Sequence, residues 1–312
     1  MAVYTPVSAE EMAALLVRYD VGTLVSAKGI AEGVENSNFL IDTSTARFIL
    51  TLYEQRVDED DLPFFLALLD HLADRGLPVP RAIRDRSGAQ LQLVAVRPAC
   101  LIEFLPGISV SRPTPAQARS TGAALGQMHA ALADFEPSRP NALGLAGWHD
   151  LADRCHDQFD KIVPGLKQRV ADELAWLDDN WPHHLPHSVV HADLFPDNVL
   201  MRGDAVGGVI DFYFACTEVR AWDLAVTHSA WSFAADGSGY RPEIGDALIA
   251  GYEDSFGLSD AERAAFPALA RGSCLRFLLT RAWDWMNTPA DALVTRKDPV
   301  AFLRRLDHYA AL

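Results

Sequence analysis

The most informative part of the sequence is HSVVHADLFPDNVLMRGDAVGGVIDFYF, residues 187–214. Within it, His191 and Asp193 form an H-x-D sequence, and Asn198 follows after four intervening residues. The apolar run GGVID then ends at Asp211. Apolar runs separated by a short polar turn are typical of paired strands. We therefore expect one loop to present a carboxylate and an amide, and a strand end to present a second carboxylate.

This order of side chains is the one that ATP-dependent phosphoryl transfer requires. Mg²⁺ prefers carboxylate and amide oxygens, which predicts Asn198 and Asp211 as metal ligands. A further carboxylate must orient the acceptor hydroxyl and take its proton late, which predicts Asp193 as the catalytic base. We expect His191 to hold the catalytic loop by hydrogen bonding rather than to react. An isolated H-x-D or D-F is usually a cap or half of an ion pair, but the combined spacing, order and β pattern favour a kinase.

Outward from this stretch, the pattern predicts a small lobe before it and helices around it. A capping box at Ser8 and Glu11 begins a helix over residues 9–19. The remaining small-lobe elements are a three-stranded antiparallel meander within 22–53, a helix from Leu62 to Gly76, and strands at 90–96 and 99–104. Helices are predicted at about 115–133, 150–178, 220–233, 242–255 and 259–286.

These elements predict an α+β, bilobal protein-kinase-like fold. The small antiparallel-sheet lobe with its helix, residues 1–105, is expected to bind the nucleotide. The larger, mainly helical lobe, residues 106–312, is expected to carry the catalytic loop and the acceptor pocket. The chain reversal Leu105-Pro106-Gly107 marks the hinge.

Composition excludes several classes of partner. The chain has 27 Lys and Arg against 42 Asp and Glu, a net charge of −15, which argues against nucleic-acid binding. No run approaches the roughly 18 apolar residues of a membrane helix, and no basic start precedes an apolar run as in a signal peptide. We therefore expect a cytoplasmic protein that acts on a small molecule. Its four cysteines are widely spaced and are predicted to lie in the core.

The motifs resemble those of the aminoglycoside phosphotransferase superfamily, the small-molecule branch of the protein-kinase-like fold. Its members share H-x-D-x-x-x-x-N, I-D-F/W and D-L-A, matched here at 191–198, 210–212 and 223–225. GIAEGVENSNFL, DLPFFLALLDHLADRGLPVP and LRFLLTRAWD further resemble homoserine kinases of the ThrB type, and this likeness extends from about residue 3 to 285. The resemblance implies ATP-dependent phosphorylation of L-homoserine in threonine biosynthesis, with Mg²⁺ as cofactor.

The same resemblance assigns a nucleotide site in the small lobe. It implies that the hinge backbone of Glu103, Phe104 and Leu105 meets adenine and that the loop from Gly29 to Asn36 covers the phosphates. The loop glycines, Gly29 and Gly33, fit neither G-x-x-x-x-G-K-[ST] nor G-x-G-x-x-G, and a surface hairpin turn is the alternative.

The strand-three position departs from the kinase pattern. Kinase-like folds carry a lysine there that reaches the phosphates, and the corresponding residue here is Thr51. Lys28 is the single lysine of the small lobe. We hypothesise that Lys28, or failing it Arg47, partly replaces the missing cation; the alternative is that Lys28 is a solvated charge.

The acceptor pocket must offer a cation to a zwitterionic substrate. Arg276 and Arg281 lie in the apolar stretch CLRFLLTRAWDW, where an unpaired guanidinium is costly. Because they are five residues apart on a helix, we expect one to bind the ligand and the other to be structural. Pairing of Arg281 with Asp284 or Asp223 is the alternative. The full set assigned to the acceptor site is Asn36, Asn38, Asp223, Arg276 and Arg281, with Glu35 as a further candidate.

Three other readings of the sequence stay open. The first keeps the fold and changes the acceptor to choline, an aminoglycoside, hydroxylysine or another amino alcohol. The second is a regulatory pseudokinase, which the absent strand-three lysine favours and the intact acidic motif opposes. The third, a two-metal phosphoesterase, needs more ligands than this stretch contains.

Overall fold

The computed structural model describes residues 5–30, 36–54, 58–288 and 296–312. The chain forms two compact units. The first unit comprises Met1–Pro106 and Gly208–Tyr213, and the second comprises Gly107–Gly207 and Phe214–Leu312. Asp211 therefore belongs to the first unit, although it is distant in sequence from the rest of that unit.

In its described residues, the first unit contains one antiparallel sheet and two α-helices. Its elements are α1 (Ala9–Leu16), β1 (Leu24–Gly29), β2 (Ser37–Thr43), β3 (Arg47–Leu52), α2 (Leu62–Asp74), β4 (Gln92–Val94) and β5 (Arg97–Glu103). The strand order is β1-β2-β3-β5-β4, so the predicted three-stranded meander is confirmed. The capping box also forms, because the Ser8 hydroxyl accepts from Glu11 N–H and the Glu11 carboxylate accepts from Ser8 N–H.

The two faces of this sheet differ in chemistry. One face buries apolar side chains of β2, β3 and β5 against α1, and its core includes Met12, Leu16, Ile41, Leu50 and Leu101. The alternate residues point to the other face, since side chains alternate along a strand. On that face Thr51 lies opposite both Asn38 and Cys100 in register.

The second unit is mainly helical. Its elements are α3 (Pro115–Ala131), α4 (Leu145–Cys155), α5 (Phe159–Ile162), α6 (Leu166–Asn180), β6 (His187–Val190), β7 (Val199–Arg202), β8 (Ala205–Val209, whose last two residues belong to the first unit), β9 (Cys216–Val219), α7 (Arg220–Trp231), α8 (Pro242–Ser255), α9 (Asp260–Asn287) and α10 (Val300–Ala310). Strand β6 pairs with β9, and β7 pairs with β8. Its core includes Trp148, Trp222, Leu278 and Phe302.

Three sequence predictions about this unit are wrong or incomplete. The single helix predicted over 150–178 is three helices, α4 to α6, with Gly165 in the left-handed region at φ 82° before α6. Strand β9 lies beyond the predicted β-rich stretch. Helix α10 was not predicted, although its buried residues Ala301, Phe302, Leu306 and Tyr309 have helical spacing.

The cysteine prediction is confirmed, since all four cysteines are buried and none forms a disulfide. No helix in the described part of the chain is long and apolar enough to cross a membrane.

Candidate active site

The catalytic loop, residues 191–198, joins β6 to β7. A buried carboxylate holds the backbone at its start. Asp223, on α7, accepts hydrogen bonds from the backbone N–H groups of His191 at 2.7 Å and Ala192 at 2.8 Å. Ala192 has φ 64°, a left-handed conformation that residues other than glycine adopt rarely. A strained residue persists where its surroundings fix it, and the two bonds to Asp223 fix this one.

Two further side chains hold the carbonyl groups of the loop. The guanidinium of Arg276, on α9, donates to the Ala192 carbonyl. The indole N–H of Trp231, on α7, donates to the Leu194 carbonyl at 3.0 Å. These donors and Asp223 come from two packed helices, α7 and α9, which together hold the loop backbone.

Within the loop, Asp193 is held by His191 and Asn198. The Asp193 N–H donates to His191 Nδ1 at 3.2 Å, so this imidazole is neutral and carries its proton on Nε2. The Asn198 amide nitrogen donates to the Asp193 carbonyl at 2.7 Å and to its carboxylate Oδ2 at 3.1 Å. If the Asn198 amide were flipped, its oxygen would face the negatively charged carboxylate of Asp193. The amide orientation is therefore fixed, and Asn198 Oδ1 points away from Asp193.

A chain of buried polar groups supports Asp223. His129 Nε2 lies 3.2 Å from Asp223 Oδ2, and His129 Nδ1 lies 2.8 Å from the Tyr252 hydroxyl. Burial raises the pKa of Asp223, but the hydrogen bonds from the His129 side chain and from the His191 backbone outweigh burial, so the net pKa is lowered from its ordinary value. Burial raises the pKa of Tyr252, so its hydroxyl stays a donor. No local sequence pattern predicts this support, because its members come from three helices.

The structure places two predicted acceptor-site residues behind the catalytic loop. Asp223 is 0% exposed and Arg276 is 2% exposed, and both bind loop backbone. Their predicted contact with an acceptor stays a prediction. The contacts that the structure shows are with the backbone on the N-terminal side of Asp193.

Arg281 has a different environment on the same helix, α9. It is partly buried, donates to the Asp298 carbonyl at 3.2 Å, and lies 4.5 Å from the ring centroid of Phe302. Burial and the nearby positive Arg305 lower the pKa of Arg281 to about 10, while Asp193 acts in the opposite direction. Within 5–30, 36–54, 58–288 and 296–312, no carboxylate lies within ion-pair distance of Arg281, so the pairing with Asp284 or Asp223 is not observed.

The first unit contains the remaining predicted residues. Asp211 follows β8 and has φ 66°. Like Ala192, it is a residue other than glycine in the left-handed region. Lys28 is exposed on β1, opposite Leu40. Its side chain shares a sheet face with Thr51, because Leu40 also lies opposite Ile49 and β3 side chains alternate.

The predicted hinge leaves the sheet at the end of β5. Glu103 N–H donates to the Arg81 carbonyl at 2.9 Å, and its carboxylate accepts from Arg81 N–H at 3.1 Å. Phe104 and Leu105 have no regular secondary structure, so the sheet does not use their backbone groups. Arg47 pairs with Asp42 at 2.7 Å, so its charge is already compensated, which favours Lys28 as the replacement cation.

The phosphate-loop prediction is described only at its ends. Gly29 ends β1, whereas Gly33 and Glu35 lie outside the described residues. Asn36 is buried and accepts from Glu54 N–H at 3.4 Å, and Asn38 accepts from the Thr51 hydroxyl at 2.7 Å. Both asparagines are thus hydrogen-bonded within the first unit. Among the described residues, no three His, Cys, Asp or Glu side chains form a metal-binding group.

Comparison with known proteins identifies the class to which this fold and site belong. A model of the phosphotransferase enzyme family matches residues 26–266, and the chain belongs to that family. Within the family, it is 56% identical over 311 residues to a homoserine kinase of Zymomonas mobilis subsp. mobilis, covering 99% of this chain and 97% of that protein. It is 53% identical over 312 residues to a homoserine kinase of Xanthobacter autotrophicus, covering 100% and 97%.

A solved structure agrees with the fold. An amicoumacin kinase in complex with AMP-PNP, Ca²⁺ and Ami superposes with a TM-score of 0.73 at 15% identity, covering 97% of this chain and 94% of that one. At this identity the likeness concerns the fold alone. The predicted α+β protein-kinase-like fold and the predicted family are confirmed.

Proposed function

We propose that the protein transfers the γ-phosphoryl group of ATP to the hydroxyl of L-homoserine, releasing ADP and O-phospho-L-homoserine, an intermediate of threonine synthesis. The choice of acceptor is carried by the similarity to homoserine kinases over nearly the whole chain. The choice of reaction is supported by the catalytic loop, whose Asp193 is held by Asn198. Residues 1–105 bind the nucleotide in this proposal, and residues 106–312 carry the catalytic loop and acceptor pocket.

Asp193 acts on the acceptor hydroxyl. Its carboxylate orients the hydroxyl oxygen in line with the γ-phosphorus and accepts the proton late, as the new P–O bond forms and the bond to ADP breaks. The hydrogen bond from Asn198 fixes the carboxylate rotamer before substrate arrives, so little reorganisation is needed.

Asn198 and Asp211 would hold Mg²⁺. The donor set fits, because both are oxygen ligands and the Asn198 amide already directs its nitrogen to Asp193. This assignment combines Asn198, which immediately precedes β7, with Asp211, which follows β8. When bound, the metal neutralises charge on the nucleotide phosphates.

The remaining contacts with ATP are assigned to residues 1–105. The hinge backbone at Glu103, Phe104 and Leu105 meets adenine, and the loop from Gly29 through Gly33 covers the phosphates. Lys28 supplies positive charge to the phosphates from its exposed position on β1. An ATP KM of Lys28→Ala equal to that of the wild type would remove it from this role.

Arg281 is proposed to bind the acceptor carboxylate, since it lacks a carboxylate partner among the described residues and is electrostatically coupled to Asp193. The test compares L-homoserine with 3-amino-1-propanol, which lacks the carboxylate. Wild-type enzyme is expected to prefer homoserine, and Arg281→Met to lose about 10- to 100-fold of that preference, as expected for a charged hydrogen bond. Undiminished preference in the variant would contradict the assignment.

The test of the reaction is ADP release from Mg-ATP with L-homoserine, L-serine, choline, kanamycin or no acceptor. We expect turnover with homoserine, and a loss of about 10³-fold or more in Asp193→Asn with nucleotide binding retained. Asp197→Asn is the matched control, because Asp197 lies in the same loop and its side chain is 65% exposed. Turnover with choline or kanamycin in place of homoserine would contradict the proposed acceptor.

A further inference from the structure

A row of neutral polar side chains crosses the sheet of the first unit at the strand-three position. Thr51 lies opposite Asn38 on β2 and opposite Cys100 on β5. The Thr51 hydroxyl donates to Asn38 Oδ1 at 2.7 Å, and Thr51 is 3% exposed. The position where kinase-like folds carry a phosphate-binding lysine is thus occupied by a buried, hydrogen-bonded hydroxyl.

Tyr213, two residues after Asp211, packs beside this row. Its hydroxyl donates to the Tyr53 hydroxyl at 3.3 Å, and the two rings meet edge to face with centroids 5.3 Å apart. The Phe65 ring of α2 contacts Tyr213 edge to face at 5.7 Å. The aromatic ring of Tyr213 is therefore fixed by both the sheet and a helix of the same unit.

The hydroxyls and the thiol of this group stay neutral. Amide, hydroxyl, phenol and thiol side chains are uncharged at neutral pH in their ordinary protonation states. Burial raises the pKa of Cys100 to about 12, against a hydrogen bond with Tyr53. Asn38, Thr51, Tyr53, Cys100 and Tyr213, here called the neutral cluster, therefore carry no charge at physiological pH.

Tyr213, one member of the neutral cluster, lies two residues after a strained residue. Asp211 has φ 66°, a conformation that persists only where neighbouring structure fixes it. Before Asp211, the N–H of Val209 donates to the Pro78 carbonyl at 2.8 Å. After it, Phe212 is buried and Tyr213 is fastened to the sheet. Asp211 is thus held between two anchored segments of the first unit.

We propose that Tyr213 is a positioning residue for Asp211, and that the neutral cluster takes the structural place of the charged strand-three lysine. Tyr213 fastens the segment after Asp211 to β3, so that strand three orients the metal ligand and makes no ionic contact with the phosphates. This inference rests on the proposed role of Asp211 as a ligand of Mg²⁺.

The test is Mg²⁺-dependent binding of AMP-PNP, measured by calorimetry across Mg²⁺ concentrations in Tyr213→Phe. Loss of one hydrogen bond is expected to raise the Mg²⁺ concentration for half-maximal binding by about 3- to 10-fold, with an unchanged homoserine KM. Tyr19→Phe is the matched control, because Tyr19 is buried in the same unit and its hydroxyl has no hydrogen-bond partner among the described residues. Its Mg²⁺ dependence is expected to equal that of the wild type.

Thr51 provides a second variant that keeps the test decisive. Thr51→Val removes the hydroxyl with little change of volume and is expected to shift the Mg²⁺ dependence in the same direction as Tyr213→Phe. Wild-type Mg²⁺ dependence in both variants would overturn the proposal, as would tighter nucleotide binding in Thr51→Lys. Absence of homoserine-dependent ADP release by the wild type would instead reject the proposed function, since the binding measurement does not use homoserine.

Discussion

Replacing Asp223 by asparagine tests whether one buried carboxylate holds the catalytic loop. Asp223 accepts from two backbone N–H groups and lies 3.2 Å from His129 Nε2. Asparagine keeps one acceptor oxygen and turns an NH₂ group toward a backbone N–H. One charged hydrogen bond contributes about 1.5–3 kcal/mol, and an unsatisfied buried donor costs about 1–3 kcal/mol. We therefore expect the free energy of unfolding to fall by about 3–5 kcal/mol.

Asp223→Asn is also expected to make the catalytic loop more mobile within the folded protein. Ala192 loses the bond that supports its left-handed backbone, Asp193 moves, and turnover falls by about 100-fold or more, as for misplaced catalytic groups. The assay combines urea unfolding, turnover, and hydrogen exchange of the peptide that contains residues 189–195. Faster exchange of the His191 and Ala192 amides is the specific signature.

Asp178→Asn is the matched control, because Asp178 pairs with His149 at 2.8 Å and both side chains are about half exposed. Exposed pairs contribute little, so this variant is expected to stay within about 1 kcal/mol of the wild type. If Asp223→Asn matches Asp178→Asn in stability and in amide exchange, the anchoring role of Asp223 is refuted.

Acid conditions probe the same carboxylate. The pKa of Asp223 is lower in the folded protein than its ordinary value of 3.8. Its contribution to stability is therefore present above pH 3.8 and is lost as the pH falls through the lower folded pKa. Asp223→Asn is expected to lack this part of the acid-induced loss of stability.

Three further predictions concern stability elsewhere. Burial lowers the pKa of His228 to about 4, so between this value and the ordinary pKa of 6.5 only the unfolded state binds a proton. The free energy of unfolding should therefore fall by about 2 kcal/mol from pH 7 to pH 5, and by less in His228→Gln. Val96 has φ 57° in an exposed turn; Val96→Gly should raise stability by about 1 kcal/mol in urea unfolding, and a decrease would contradict the strain argument. A Cβ on Gly122 would lie 1.9 Å from the Leu248 carbonyl oxygen; Gly122→Ala should cost about 3 kcal/mol by separating α3 from α8, and an unchanged melting temperature would refute this.

Local sequence patterns predicted the elements whose signals are complete within a few residues. The capping box of α1, the meander β1 to β3 and the helix α2 all carry such signals. The single helix predicted over 150–178 overlooked the break before α6, where Gly165 caps the helix in a left-handed conformation. Helix α10 was missed despite its periodic apolar residues, which are a signal that sequence reasoning can use.

Sequence spacing alone predicted that Asp193 and Asn198 meet, because the two residues are close enough along the chain to lie in one loop. Only the tertiary structure decided which arginine supports the loop and which lacks a carboxylate partner in the described chain. Arg276 reaches a carbonyl 84 residues away, and Asp223 reaches amides 31 and 32 residues away. Such partners are chosen by helix packing, which brings distant side chains together and imposes the cost of leaving a buried polar group unpaired.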